Sequence, residues 1–166
     1  MSPYILRSFC CSLPGPAKDA WLKPPTGSLK FNIDGAVVEG FGKADIRRIL
    51  RNEYNESLLT FSKYIGFTDA TSAELLAFKE ACVLFGESKW VESHSVIFES
   101  DCSLVFRWLT QPNLVSSIFK QIVLDCLDVC SNFRWSLNIV PRTANPIADK
   151  LAKTGTNRSF PWVWKA

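Results

Sequence analysis

The chain has 166 residues, 47% of them hydrophobic and 21% charged, a composition typical of one compact domain of roughly 100 to 200 residues. Nineteen basic and sixteen acidic residues give a formal net charge of +3, which neither demands nor excludes a polyanionic partner. No stretch approaches the roughly 20 apolar residues that a membrane-spanning helix needs, so we expect no membrane span.

The ends of the chain and the cysteines carry little functional signal. Residues 1–20 are typical of a flexible lead-in, with an organelle-targeting segment as the weaker alternative. We expect one domain over residues 21–157 and a C-terminal tail over 158–166.

The six cysteines match no zinc-knuckle spacing and predict reduced intracellular thiols. We expect a monomer in the nucleus or cytoplasm, and an organelle remains an open alternative.

Three strands are predicted first along the chain. Leu29, Phe31 and Ile33 alternate with polar residues, and this period of two favours a strand. Residues 46–51 and 58–65 are the next strand candidates, and the asparagine-containing segment between them suits a turn. Three successive strands indicate an antiparallel meander.

Helices and strands then alternate. Residues 70–85 are rich in helix formers after Thr71 and Ser72 as possible N-caps. A short strand at 96–98 precedes helices at 100–110 and 114–130, which are separated by Pro112 because proline interrupts a helix. The remaining predicted elements are a strand at 135–140 and a last helix that follows Asn145 and ends at Gly155. This order predicts an α/β fold with crossover connections.

Two acidic residues stand out in the first half of the chain. Asp34 ends the first predicted strand and precedes Gly35, whose missing side chain lets another group approach the backbone. An ordinary Asp-Gly turn is the alternative. Glu74 shares its helical face with Ala77 and Phe78, so its carboxylate needs a partner or an ion. The alternative is a first-turn glutamate favoured by the helix dipole.

Two further acids complete the set. Asp101 follows a predicted strand, where α/β proteins place functional groups, although it could also cap the next helix. Asp149 lies in the first turn of the last predicted helix, where the dipole alone could explain it. Clustered carboxylates repel one another unless cations neutralise them, and hard oxygen ligands suit Mg²⁺ or Mn²⁺. The four acids together predict a two-metal phosphodiester site.

Four blocks of sequence surround these acids in chain order. They are Trp21-x-Lys23-Pro24-Pro25-x-Gly27-x-Leu29-Lys30-Phe31-Asn32-Ile33-Asp34-Gly35-Ala36, Ala73-Glu74-Leu75-Leu76-Ala77, Glu99-Ser100-Asp101, and Val140-Pro141-Arg142-x-x-Asn145-x-x-Ala148-Asp149-x-Leu151-Ala152. Over roughly residues 21–155 the chain resembles the plant, retroelement-related ribonuclease H-like domain family. The ordered set is specific, whereas any one block would be weak.

The resemblance implies the ribonuclease H-like fold, a mixed five-stranded sheet with helices on both faces. It also implies endonucleolytic cleavage of the RNA strand in an RNA–DNA hybrid, leaving 5′-phosphate and 3′-hydroxyl ends. The family's catalytic acids fall on Asp34, Glu74, Asp101 and Asp149. Their implied role is to hold two Mg²⁺ ions about 4 Å apart, with Mn²⁺ as a substitute.

Contacts with the nucleic acid are expected at four positions. The 2′-hydroxyl in the minor groove marks RNA, and the backbone near Gly35 and the side chain of Asn145 could contact it. Arg142 is a candidate phosphate contact, although a solvated loop cation is an equally good interpretation. Arg47 and Arg48 point to opposite faces of a strand, so one could meet nucleic acid while the other is solvated.

The chain departs from the family pattern in two places. The loop before the last acid offers Arg142 and Thr143, where well-studied bacterial-type relatives carry a histidine. Arginine cannot shuttle protons at neutral pH, so water activation or product release would be slower. The single histidine, His94, is predicted in a surface turn. Residues 42–49 also lack the glycine-rich run that relatives usually have in the second strand.

These departures leave two alternatives to an active enzyme. The first is a ribonuclease H-like module that binds nucleic acid with little or no turnover. The second is a domesticated retroelement fragment whose Trp162 and Trp164 anchor a protein partner, although packing of the tail against the domain explains them more simply. A phosphate-binding loop and a Ser-His-Asp hydrolase are disfavoured, because the required glycine and serine patterns are missing.

Overall fold

A mixed sheet is the centre of the computed structural model, which describes residues 21–38, 42–144 and 162–165. Its strands are β1 (Ser28–Val38), β2 (Lys43–Arg51), β3 (Ser57–Phe67), β4 (Ser95–Ser100), β5 (Trp135–Ile139) and β6 (Trp162–Lys165). The helices are α1 (Ala70–Gly86), α2 (Ser103–Thr110) and α3 (Ser117–Cys130). The strand order is β5-β4-β1-β2-β3-β6. None of the helices in these ranges is long and apolar enough to cross a membrane.

The sheet has the predicted topology. Strands β1, β2 and β3 form the antiparallel meander, while β4 lies parallel to β1 and β5 parallel to β4. The five predicted strands are therefore confirmed. The sixth strand, β6, was not predicted: it pairs antiparallel with β3 and belongs to the segment predicted as a tail. Four residues are too few for alternation to indicate a strand.

All three helix N-termini differ from the prediction in their start or their cap, and α3 begins at Ser117 rather than at residue 114. Asp69, rather than Thr71 or Ser72, caps α1, because its carboxylate accepts a hydrogen bond from the Ser72 N–H at 2.9 Å. Helix α2 begins only at Ser103, so the Asp101 side chain does not serve as its cap. The break at Pro112 is confirmed, since a short 3₁₀ helix there separates α2 from α3. The predicted last helix and the lead-in lie outside the described residues.

The hydrophobic core lies between the sheet and helix α1. Leu29, Phe31 and Ile33 project towards α1 and are almost fully buried, as their alternation predicts. Phe98 of β4 stacks on Phe31, and the edge of Phe78 from α1 packs against it with ring centroids 4.9 Å apart. Helix α3 then packs on α1. This layer fixes α1 across β1 and so determines where the first turn of the helix can lie.

The opposite face of the sheet is polar, yet also buried. Lys30 pairs with Glu99 at 2.7 Å, and Glu99 accepts a second bond from Asn32 at 2.9 Å. The Trp21 ring lies 5.2 Å from the Lys30 ammonium and 5.0 Å from the Arg51 guanidinium. Charges on this face are thus paired or stacked on aromatic rings, as burial requires.

The cysteines of the described residues are free thiols. Cys82 of α1 and Cys130 of α3 lie with their sulfur atoms 3.1 Å apart in the helix interface. Burial raises the pKa of Cys82 well above its ordinary value, and the neighbouring Cys130 adds to this effect. Both residues therefore pack as small apolar side chains. Cys10 and Cys11 lie outside the described residues.

Candidate active site

Three carboxylates converge at one end of the sheet. Asp34 lies on β1, Glu74 in the first turns of α1, and Asp101 directly after β4. One oxygen atom from each lies within 4.8 Å of the others. The parallel pairing of β1 with β4 causes this meeting of Asp34 with Asp101, because both chains run past the same edge of the sheet. The predicted convergence is confirmed for these three acids, while Asp149 lies outside the described residues.

Glycine at position 35 brings Glu74 to Asp34. A Cβ atom on Gly35 would lie 2.6 Å from the Ala73 carbonyl carbon and 2.6 Å from the Glu74 nitrogen, so only glycine permits this approach of α1 to β1. The Gly35 N–H also donates a hydrogen bond to the Glu74 carboxylate. The predicted close approach is therefore that of the helix itself. Contact of Gly35 with RNA stays a prediction.

The environment of Glu74 favours its protonated form. Its side chain lies in the interior, and residue 74 is only 9% exposed. Burial, followed by the charges of Asp34 and Asp101, raises the pKa of Glu74 to about 9, against the weaker opposing effects of the Gly35 amide and Arg142. Its Oε2 is buried without a hydrogen-bond partner among the described residues. A cation nearby would therefore favour its ionisation.

A divalent cation fits this set of donors. Three carboxylates within 4.8 Å of one another offer hard oxygen ligands, and the unsatisfied Oε2 of Glu74 supplies an available one. A cation among them would also oppose the burial and the carboxylate repulsion that raise the pKa of Glu74. The residues present therefore suit Mg²⁺ or Mn²⁺.

A buried guanidinium adjoins the carboxylates from inside the sheet. Arg47 of β2 lies opposite Asp34 in the strand pairing and is 0% exposed. Its Nη1 lies 4.0 Å from the Asp34 carboxylate, and its Nη2 lies 3.2 Å from the carboxylate of Asp45, which is also buried. Burial raises the pKa of Asp45, and the Arg47 charge opposes this rise. The site therefore includes an internal cation.

The sequence profile of the family described as "Reverse transcriptase-like" matches residues 32–155, which is more than half of the chain. The chain belongs to this reverse transcriptase-like family. Among curated proteins, none matches it in sequence.

Solved structures show that this reverse transcriptase-like domain has the ribonuclease H fold. The RNase H1 of the halophilic archaeon Halobacterium salinarum NRC-1 matches with a TM-score of 0.68 and 22% identity, over 75% of this chain and 94% of that chain. LC11-RNase H1, isolated from compost by a metagenomic approach, gives 0.70 and 22%, over 79% and 96%. The N-terminal RNase H domain of Rv2228c from Mycobacterium tuberculosis gives 0.69 and 17%, over 80% and 95%.

The prediction that Arg47 or Arg48 meets nucleic acid from the second strand of the reverse transcriptase-like domain is wrong. Alternation does place the two side chains on opposite faces, but both faces are covered and both residues are fully buried. The Arg48 guanidinium lies 4.3 Å above the Phe61 ring, and burial lowers its pKa to about 9. Neither side chain can reach a bound phosphate.

Among the predicted nucleic-acid contacts that the structure describes, Arg142 lies on the surface. Its side chain is 80% exposed in a short 3₁₀ helix, and its Nε lies 3.3 Å from the Asp101 carboxylate. Contact with phosphate stays a prediction, as does the role of Asn145, which lies outside the described residues. His94 occupies the turn before β4, where its Nδ1 lies 2.8 Å from the Ser93 hydroxyl.

Asp45 is the site-adjacent residue that sequence reasoning missed. It lies on the same face of β2 as Arg47, and the strand pairing places Arg47 opposite Asp34 and Asp45 opposite the nearby Ala36. The sequence does contain a signal for it, because two opposite charges two positions apart in a strand share one face and can pair. Only the observed pairing turns that spacing into a contact.

Proposed function

We propose that this chain is a metal-dependent endonuclease that hydrolyses the RNA strand of RNA–DNA hybrids. The observation that carries the proposal is the convergence of Asp34, Glu74 and Asp101 in a ribonuclease H fold. Family membership supports it. One structural neighbour, LC11-RNase H1, was crystallised in complex with an RNA/DNA hybrid.

The three carboxylates would hold the catalytic cations, with Asp149 proposed as a further ligand. Two Mg²⁺ ions, or Mn²⁺ ions in their place, would supply acidification of the attacking water and stabilisation of negative charge at the scissile phosphate. Glu74 would ionise on loading, and the Gly35 N–H would keep its carboxylate directed at the cluster. Asp34 would be held from behind by Arg47.

Substrate binding would use the exposed side of the site. Arg142 would contact a phosphate, and the exposure of its side chain beside Asp101 supports this role. We propose that the strand is chosen by its 2′-hydroxyl, with Asn145 and the backbone near Gly35 as the contacts. Arginine stays protonated at neutral pH, so Arg142 would bind without transferring protons.

Cleavage of a labelled RNA–DNA hybrid tests the proposal. The full chain is assayed with Mg²⁺ or Mn²⁺, alongside duplex DNA and duplex RNA. We expect metal-dependent cutting of only the hybrid's RNA strand, lost in Asp34→Asn and kept in Asp128→Asn. Asp128 is a matched control because it is an exposed aspartate on α3. Equal cutting by the Asp34→Asn protein would identify a contaminating nuclease and contradict the proposal.

A hybrid-binding module with weak or no turnover is the second candidate. The observation that favours it is the pair of guanidinium groups beside the carboxylates, Arg47 inside the sheet and Arg142 outside it. Both oppose the negative charge that a catalytic cation needs. A folded protein that retards the hybrid in a gel shift but does not cut it would establish this candidate over the enzyme.

A further inference from the structure

Arg47 occupies the centre of a row that crosses three strands. Asp34 on β1 lies opposite Arg47 on β2, and Arg47 lies opposite Ser62 on β3. All three side chains project from the same face of the sheet, and each is at most 8% exposed. The row therefore runs from a carboxylate of the candidate site into the interior.

Two acids among the described residues adjoin the Arg47 guanidinium. Its closer partner is Asp45 at 3.2 Å, and Asp34 lies farther away at 4.0 Å. The Ser62 hydroxyl adds a long hydrogen bond to Asp45 at 3.5 Å. Asp45 thus neutralises part of the guanidinium charge, and the guanidinium also acts on Asp34.

The buried positive charge of Arg47 opposes the binding of a metal cation to Asp34. Arg47 is 0% exposed, so dissolved salt screens its field only weakly. The Coulomb interaction of unit charges about 4 Å apart stays substantial at the dielectric of a protein interior. Part of the negative charge of Asp34 is therefore already compensated before any metal binds.

We propose that Arg47 is a positioning residue that holds Asp34 from within the sheet and weakens the binding of divalent cations to the carboxylate cluster. Asp45 moderates this effect by drawing the guanidinium charge towards itself. The inference rests on the proposed function, because it concerns the same cluster. It predicts that occupying the site requires a higher Mg²⁺ concentration than the carboxylates of Asp34, Glu74 and Asp101 would require without the buried arginine.

Calorimetric titration of the full chain tests this inference. Mn²⁺ and Mg²⁺ are titrated separately at one pH, without nucleic acid, so the measurement does not depend on activity. The double variant Asp45→Asn/Arg47→Met removes the guanidinium without leaving a buried aspartate unpaired. We expect it to bind Mn²⁺ about tenfold more tightly than the wild type, an order-of-magnitude estimate from the Coulomb interaction.

Two single variants test the direction of the effect, because one should weaken Mn²⁺ binding and the other should leave it nearly unchanged. Asp45→Asn removes one negative charge beside Arg47, so the Kd of this variant for Mn²⁺ should rise about threefold or more. Arg47→Lys keeps the positive charge, so its Kd should stay within about threefold of the wild type. Asp128→Asn should not differ from the wild type, and Asp34→Asn should bind weakly. Urea unfolding of each variant establishes that it is folded.

Several results would overturn the inference. A double variant that binds Mn²⁺ as the wild type does, or more weakly, would show that Arg47 does not compete with the cation. An unchanged or lowered Kd in Asp45→Asn would do the same, and this arm suffices if the double variant does not fold. If a variant gives either result while the wild type cuts the hybrid, only this inference is refuted. If the wild type binds neither metal and cuts nothing, the proposed function is refuted as well.

Discussion

Replacing Glu74 by glutamine measures how much ionisation of Glu74 lowers the free energy of unfolding when no metal is bound. In the folded chain the pKa of Glu74 is about 9, against an ordinary value of 4.5. Between these two values the folded chain holds one more proton than the unfolded chain. The free energy of unfolding therefore falls as pH rises through this window. Glutamine cannot ionise, so Glu74→Gln lacks this loss.

The size of the effect follows from the pKa shift. One pH unit is worth about 1.4 kcal/mol, and a pH of about 7.5 lies about 3 units above the ordinary pKa of a glutamate. The full penalty at that pH is about 4 kcal/mol in the absence of metal. We expect Glu74→Gln to gain about 2 to 4 kcal/mol over the wild type between about pH 5 and about pH 7.5.

Urea unfolding in EDTA, followed by tryptophan fluorescence at both pH values, measures this gain. Glu92→Gln is a matched control because Glu92 lies exposed in the turn before β4, and its pH dependence should follow the wild type. Added Mg²⁺ should stabilise the wild type more than Glu74→Gln at the higher pH. If Glu74→Gln and the wild type show the same pH dependence, Glu74 is already ionised in the folded chain and the reasoning is refuted.

Three other perturbations test the surroundings of the site. Gly35→Ala should lower stability by about 1 to 3 kcal/mol and cleavage with it, because the new Cβ would lie 2.6 Å from the backbone of Ala73; an unchanged melting temperature would contradict this close packing. Lys30→Met should cost about 3 to 5 kcal/mol by removing the ammonium group that pairs with the buried Glu99, and Lys30→Met/Glu99→Gln should recover most of it in urea unfolding; an equally unstable double variant would argue against a buried charge penalty. Arg142→Gln should weaken hybrid binding and reduce the salt dependence of log Kd by about 1, whereas an unchanged salt dependence would exclude a phosphate contact.

Local patterns determined most of the secondary structure. Alternation over Leu29, Phe31 and Ile33 predicted β1, and this strand is confirmed with all three side chains buried. The helix-forming run before Gly86 predicted α1, and Pro112 predicted the break that follows α2. These features depend on residues within a few positions of one another, so a single sequence contains the necessary information.

The convergence of the acids could be predicted only with the ordered motifs. Asp34, Glu74 and Asp101 each had an ordinary explanation as a turn, a dipole-favoured glutamate or a cap. The structure favours a shared carboxylate cluster over these separate explanations, because α2 begins after Asp101 and Gly35 allows α1 to pack closely against β1. The raised pKa of Glu74 likewise depends on burial and on two carboxylates from distant parts of the chain.

Burial of the second strand and the pairing of β6 were decided by the tertiary structure alone. The sequence determined that Arg47 and Arg48 point to opposite faces, but not that both faces of β2 are covered. Covering layers come from elements distant in sequence, and two arginines in a strand look solvent-exposed until those layers are in place. For the same reason Arg47, which local chemistry assigns to a phosphate, becomes an internal partner of Asp34 and Asp45.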